Sequence, residues 1–245
     1  MKYFFASCAA LAVAASVQAQ GVITQWTFTG DVTTPSTGAG TASLIGGTTA
    51  SFAGGQTPAP DRRWSVSTFP AQGTGSGTAG ASFAVSTVGL DPSITGISFT
   101  FDLRTSNTAS RWYRVDYTTD GGANWVLGAA TRLGTDGASA GDQWHVGNSL
   151  LVTDAAALNN AQFAVRVVSV FSPVAFTQVN QNIAYGANAA YEVARNLPNF
   201  GFNSAYFTTG TWGFDNVTFT AIPAPGAIAL LGLAGALRGR RRRAA

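Results

Sequence analysis

Thiols and amines are almost missing from this sequence: among 245 residues there is one cysteine, Cys8, and one lysine, Lys2, both within the first ten positions. The rest of the chain therefore has no disulfide and no thiol nucleophile. Histidine and glutamate occur once each, as His145 and Glu192. With one imidazole and no body cysteine, a zinc site of the usual ligand kinds is excluded. Ser–His–Asp catalysis would have to recruit His145, and no serine sits in a nucleophile-elbow pattern. Glycan hydrolysis needs two differently tuned carboxylates. Most of the aspartates stand at turns, such as Asp91 before Pro92, Asp120 before Gly121 and Asp136 before Gly137, where Asp is a turn former. The expectation is a protein that is not an enzyme.

Charge is scarce as well, and what there is sits unevenly. The formal +3 and the pI near 9.4 come from the two ends. Without Lys2, Arg238, Arg240, Arg241, Arg242 and Arg243, the 14 basic residues fall to 8 against 11 acidic ones, a body near −3. That sign argues against a nucleic-acid partner.

Each end carries an address. At the start, Lys2 is followed by the apolar stretch Tyr3 to Val17 and by the small-residue site Val17-Gln18-Ala19, the order of a secretory signal peptide cleaved after Ala19. Cys8 lies within the apolar run, where it is a leader residue and not a lipid-attachment site. At the other end, Ile222-Pro223-Ala224-Pro225-Gly226 opens an uncharged stretch to Leu237, and Arg238 and Arg240 to Arg243 follow. The stretch is well short of the roughly 20 residues that an upright transmembrane helix needs. It suits brief retention in the inner membrane, with the arginines as a cytoplasmic stop. The three-part order resembles the PEP-CTERM sorting signal of exported Gram-negative proteins, which a membrane-embedded exosortase recognises in bacteria that make exopolysaccharide. Here Ala224 stands between the prolines where the family has Glu. The resemblance covers Ile222 to Arg243 and implies secretion machinery and an exosortase-type sorting enzyme as partners. It also implies cleavage near Pro223, Ala224 and Pro225, and delivery to the cell surface or extracellular matrix.

The body, 20–220, is long enough for one core. Its clearest strand is Ile94 to Arg104, with Ile97, Phe99, Phe101 and Leu103 on one face; Arg111 to Thr119 puts Tyr113, Val115 and Tyr117 opposite Trp112, Arg114 and Asp116. Thr119 to Asn124 supplies a hairpin turn, and Trp125 to Ala130 is expected to return. Further strands are expected at Val22 to Thr29, Ala42 to Ile45, Thr48 to Phe52, Trp64 to Thr68, Ala81 to Val88, Gln162 to Phe171 and Thr211 to Thr220. Asp154 caps a short helical turn. Many short strands with Gly-rich turns indicate an all-β protein, an antiparallel β-sandwich of jelly-roll type. Tyr117-Thr118-Thr119-Asp120-Gly121-Gly122 with Trp125, and Trp212-Gly213-Phe214-Asp215-Asn216-Val217, resemble the hairpin and last strand of extracellular bacterial jelly-roll modules, carbohydrate-binding ones among them.

Two sites are expected. Trp112, Arg114 and Asp116 share an outward face, with Asp102, Arg104 and Arg166 on outward faces elsewhere; an aromatic plane beside donors and acceptors can hold sugar rings. The alternative is a solvated face of weak Arg–Asp pairs. Asp215, two residues before Val217, is expected to start on the inward side, where a carboxylate must be hydrogen-bonded, paired or bound to a cation such as calcium. No other cofactor is expected. The leading functional expectation is a non-enzymatic surface or exopolysaccharide-matrix protein; a carbohydrate-binding module is second and a secreted glycan-active enzyme third.

The mature chain is expected to begin within a residue or two of Gln20 and to lack Arg238 to Arg243. Intact mass and terminal sequencing of protein recovered from the host surface check this, and a full-length chain with its arginines would refute it.

Overall fold

The computed structural model describes residues 21–134, 139–175, 179–180, 183–184, 190–194 and 206–224. The leader ending at Ala19, the turn residue Asp136, Pro225 and the terminal arginines lie outside the described residues. Among the described residues, no helix is long and apolar enough to cross a membrane.

Two antiparallel sheets face each other. The first is ordered β3-β4-β13-β6-β9, with β1 (Val22–Trp26) added alongside β13. Its other strands are β3 (Thr49–Gly54), β4 (Arg62–Ser67), β6 (Ile94–Thr105), β9 (Gln143–Val152) and β13 (Trp212–Pro223). The second is ordered β2-β5-β10-β7-β8: β2 (Thr41–Ile45), β5 (Gly80–Ala84), β10 (Ala164–Ser169), β7 (Trp112–Thr118) and β8 (Ala130–Arg132). A small hairpin, β11 (Val179–Asn180) with β12 (Ile183–Ala184), stands apart. The sandwich expected from the sequence is therefore the fold.

Alternation explains why these segments pair as they do. Ile97, Phe99, Phe101 and Leu103 are all buried on the inner face of β6, and Val165 and Val167 on that of β10, so each strand buries one face and wets the other. The core is aromatic across the gap. Phe83 of β5 meets Trp26, Trp64, Phe99 and Phe214 of the opposite sheet at centroid distances of 5.5–6.2 Å. Phe163 meets Phe219 at 6.0 Å, and Phe101 meets Tyr113 edge-on at 5.8 Å. Tilted and edge-on contacts of this kind suit aromatic quadrupoles. With no disulfide in the body, this layer is what joins the sheets.

Several expectations need correction. The return of the β7 hairpin is not a strand from Trp125: one bridge, Tyr117 to Val126, precedes the true pairing of β7 with Ala130–Arg132. The chain between them crosses the outer face instead. Gln143–Val152 is a ten-residue edge strand that alternation did not mark, because Gly147 in left-handed geometry (φ 69°) interrupts it and both Val146 and Leu151 are exposed. Bulges and edge positions break the period-two signal in this way. The last strand runs past Thr220 to Pro223, where Pro223 pairs opposite Ile94. The turn capped by Asp154 is present as a single 3-10 turn, Ala155–Ala157, with Asp154 accepting from the Ala156 N–H.

Phe83→Ala would leave a cavity between four aromatic neighbours and is expected to cost about 3–5 kcal/mol. Urea denaturation of the body checks it; a loss below about 1 kcal/mol would mean the sheets are held by something else.

Candidate functional site

The expected platform lies on the outer face of the second sheet, and the register fixes its plan. Ser43, Ser82, Arg166 and Asp116 stand side by side across β2, β5, β10 and β7. In the next row Gly80, Val168 and Arg114 are neighbours, with Ala130 of β8 beyond Arg114. Small side chains thus form the floor on the β2–β5 side, and large charged ones rise on β10 and β7. At one end of the floor is a shallow cavity of about 240 Å³ lined by Gly40, Thr41, Ala84, Ser86 and Ala161 among others.

Asp116 is the centre of this face and is fully buried. Its Oδ1 accepts from Arg114 Nε at 2.6 Å and from the Gly128 N–H at 3.2 Å; its Oδ2 accepts from Arg114 Nη2 at 3.0 Å and Arg166 Nε at 2.9 Å. With both oxygens so engaged, this side chain has no free lone pair to offer a substrate. What covers it is the return limb of the hairpin. A Cβ at Gly128 would collide with the Val115 carbonyl oxygen, so only glycine lets that limb lie so close to β7. The limb also places Trp125 over Arg166, the guanidinium carbon 4.2 Å from the ring centroid, a cation–π contact.

The turn that aims Trp125 holds itself. Asp120 accepts from the Asn124 N–H, the Asn124 amide and the Thr118 hydroxyl at 2.7–2.9 Å, and Gly121 and Gly122 take φ of 72° and 95°. The Asn124 backbone hydrogen bond, with the Thr118 and Asn124 side chains behind it, holds the Asp120 carboxyl down to about 2.

Trp112 is on the expected face but is not an open aromatic. Its indole N–H donates to Glu192 Oε2 at 2.7 Å. The same carboxylate, 1% exposed, pairs through Oε1 with Arg132 Nη2 at 2.6 Å and with the buried Arg111 at 3.3 Å. Burial pulls the Arg111 guanidinium below its ordinary pKa, and Arg132 adds to that while Glu192 opposes it. This network clamps residues 190–194 to β7 and β8. Asp102 and Arg104 do not join the platform, since β6 is in the other sheet. His145 Nε2 is 3.0 Å from the Ala140 carbonyl oxygen.

Asp215 is the second expected site, and its side is reversed. Pairing of β13 with β6 shifts by one residue between Asp215 and Thr218, with Asn216 at φ 48°. Phe214 and Val217 both reach the core, so Asp215 falls on the outer face. It is buried there nonetheless, at the gap where β4 pairs with Trp212 to Phe214 and β1 with Val217 to Thr220. Oδ1 accepts from the Asn216 N–H at 2.7 Å, while Oδ2 is buried with no hydrogen-bond partner. Desolvation, with Asp61 and Asp102 adding negative potential, pushes this carboxyl up to about 6. Asp102, its register neighbour, is occupied: it accepts from the Gly147 N–H at 2.8 Å and from the Asn216 amide at 3.0 Å. Among the described residues no three Asp, Glu, His or Cys side chains converge as metal ligands.

The chain matches no protein family and no curated protein by sequence. Among solved structures it is similar to the CBM22-1 xylan-binding domain from Paenibacillus barcinonensis Xyn10C, at 10% identity and TM-score 0.44 over 84% of this chain and 98% of that one. The CBM22-2 xylan-binding domain of the same protein gives 11% and 0.41, over 74% and 91%. The Clostridium thermocellum xylanase 10B CBM22-1–GH10 modules, complexed with xylohexaose, give 11% and 0.41 over 74% of this chain. The chain spans about a quarter of that Clostridium structure and about half of the Paenibacillus CBM22 tandem. Likeness this distant carries nothing about ligands over to this chain.

Because the folded carboxyl of Asp215 titrates near 6 and an unfolded one near 3.9, its contribution is fully present below about pH 4 and is lost as pH rises through 6. The loss is about 3 kcal/mol. Asp215→Asn is expected to be more stable than the wild type at pH 7.5 and no more stable at pH 4, read by urea denaturation at both values in chelator. A less stable Asn variant at pH 7.5 would mean the carboxylate is partnered.

Proposed function

We propose that the sandwich is a carbohydrate-binding module, carried by an exported surface or matrix protein and holding extracellular polysaccharide on the outer face of the second sheet. One observation carries the reading: Arg114 and Arg166 are locked onto buried Asp116 beside a floor of small residues, with Trp125 standing over one end. A sugar chain lying on a sheet offers hydroxyl oxygens in its plane and C–H groups on its face. Arginine donors fixed before the ligand arrives need little ordering on binding, and the indole supplies apolar area. Asp116 and Glu192 have both oxygens engaged, which favours holding a glycan over cleaving it. Asp215, the carboxyl raised toward neutrality, is walled off from any substrate.

The ends fit the same reading. The leader through Ala19 would deliver the body across the inner membrane. The tag at Pro223, Ala224 and Pro225, with its arginine stop, would hand it to an exosortase-type enzyme, leaving the module at the surface or in the matrix. Calcium belongs to the proposal as a structural ion. The feature that points to it is the buried, unpartnered Oδ2 of Asp215; both Asp102 oxygens already accept hydrogen bonds, so the other ligands would be carbonyl or water oxygens. The pH series above, repeated with calcium, tests it: a bound ion would remove the loss of stability near neutral pH.

The recombinant body, 20–224, is expected to be retained in gels containing the host's matrix polysaccharide or xylan. Trp125→Ala should weaken retention about tenfold, and Ser82→Tyr, which fills the floor, should abolish it, both with melting temperatures within a few degrees of the wild type. No retention of the wild type on any polysaccharide would overturn the proposal, as would full retention by the Ser82→Tyr variant.

A further inference from the structure

The described arginines divide between the two sheets in a way that the net charge hides. On or beside the first sheet, Arg62, Arg63 and Arg104 stand against Asp31, Asp61, Asp91, Asp102, Asp142, Asp154 and Asp215, an excess of four negative charges. On or beside the second, Arg111, Arg114, Arg132 and Arg166 stand against the buried Asp116 and Glu192 and against Asp120, an excess of one positive charge. Asp120, at the end of β7, is turned into its own hairpin. An acidic body thus carries its positive excess on one sheet, the one with the floor of small residues.

The surplus is usable at Arg166. Its Nε is taken by Asp116 and its flat face by Trp125. Stacking leaves the in-plane N–H groups unused, and among the described residues nothing accepts from either Nη. The fork at the end of the guanidinium is therefore the free one, the geometry that meets a planar carboxylate with two parallel hydrogen bonds. Arg114 and Arg166 are already mostly covered, with side-chain exposures of 20% and 17%. A neutral sugar laid over them replaces the remaining water with hydroxyl oxygens but leaves the second cation of the cluster without a counter-charge. An anionic sugar would instead continue the series Arg114, Asp116, Arg166 with a further negative group.

We propose that the polysaccharide held on this face is acidic, with a uronate carboxylate docking on the Nη fork of Arg166. The inference rests on the carbohydrate-binding reading and names its ligand class.

The test is affinity electrophoresis of the full body in polygalacturonate, in the same polymer after carboxyl reduction to neutral galactan, in xylan and in dextran sulfate. Polygalacturonate is expected to retard the wild type at least tenfold more strongly than its reduced form at low salt, with the ratio shrinking as salt is added. Arg166→Gln should bring the ratio to within about twofold. Arg166→Lys, which keeps the charge and loses the fork, should lose most of it too and serves if the Gln variant melts early. Equal binding of reduced and native polymer overturns the acidic ligand while leaving carbohydrate binding intact. Binding of no polymer overturns both. Dextran sulfate retained as strongly as polygalacturonate, and unaffected by either Arg166 variant, would mean unspecific charge attraction and would also overturn the inference.

Discussion

The outer face of the second sheet is organised by one buried carboxylate. Asp116 has no exposure, so it is tolerable only because four donors reach it from β7, β10 and the hairpin limb. Those donors are also the parts of the site: Arg114 grips both oxygens of Asp116, Arg166 reaches it through Nε, and the limb through Gly128 carries Trp125 over Arg166. Removing the carboxylate would free two arginines and release the limb together, so stability and recognition share a single group. Glu192 repeats the logic one row along, binding Arg111, Arg132 and the Trp112 indole. It anchors 190–194, a segment outside the named strands that bridges to Ser110 through Val193.

The first sheet is organised by a different device. Two register shifts fall side by side, one between β13 and β6 at Asp215 and one between β6 and β9 at Phe101–Leu103. Asp102 lies between them and accepts from both, from Asn216 on one side and Gly147 on the other. Bulges increase local twist and re-aim side chains. Here they turn Asp215 away from the core and into a gap that two partner strands fail to close. The outcome is a carboxyl that is strained toward neutrality on the side of the sandwich opposite the floor of small residues.

What the sequence disclosed follows from this. Period-two alternation needs an unbroken strand with one wet face, and Ile94–Thr105, Trp112–Thr118 and Ala164–Ser169 satisfy that, so the fold and most of the inner faces were legible. The burial of Asp116 was not, because the cover comes from a crossing limb that leaves no periodic trace. Arg166 was assigned an outward face, but its adjacency to Asp116 depends on strand order, which alternation does not encode. The inward placement of Asp215 failed by one residue, the size of a bulge. The one available signal was Asp215-Asn216 itself, since Asn is among the few residues that adopt positive φ and so marks a place where a strand can slip.

The junction between the body and the proposed tag would carry a mechanical consequence. Pro223 is buried at the end of β13 opposite Ile94, and the Ala224 N–H donates to the Ser93 carbonyl at 2.8 Å. The last ladder pairing thus falls within the proposed tag at Pro223 to Pro225. A processing enzyme needs an extended, accessible backbone in its cleft, so peptide bonds up to Ala224 would become available only if the end of β13 peeled from β6. That strand carries Ala221, Phe219 and Val217 in the buried set, and peeling it would expose part of the core. If the proposed tag is processed, the folded body would shield the bonds before Ala224, and a chain that has not folded would shield none.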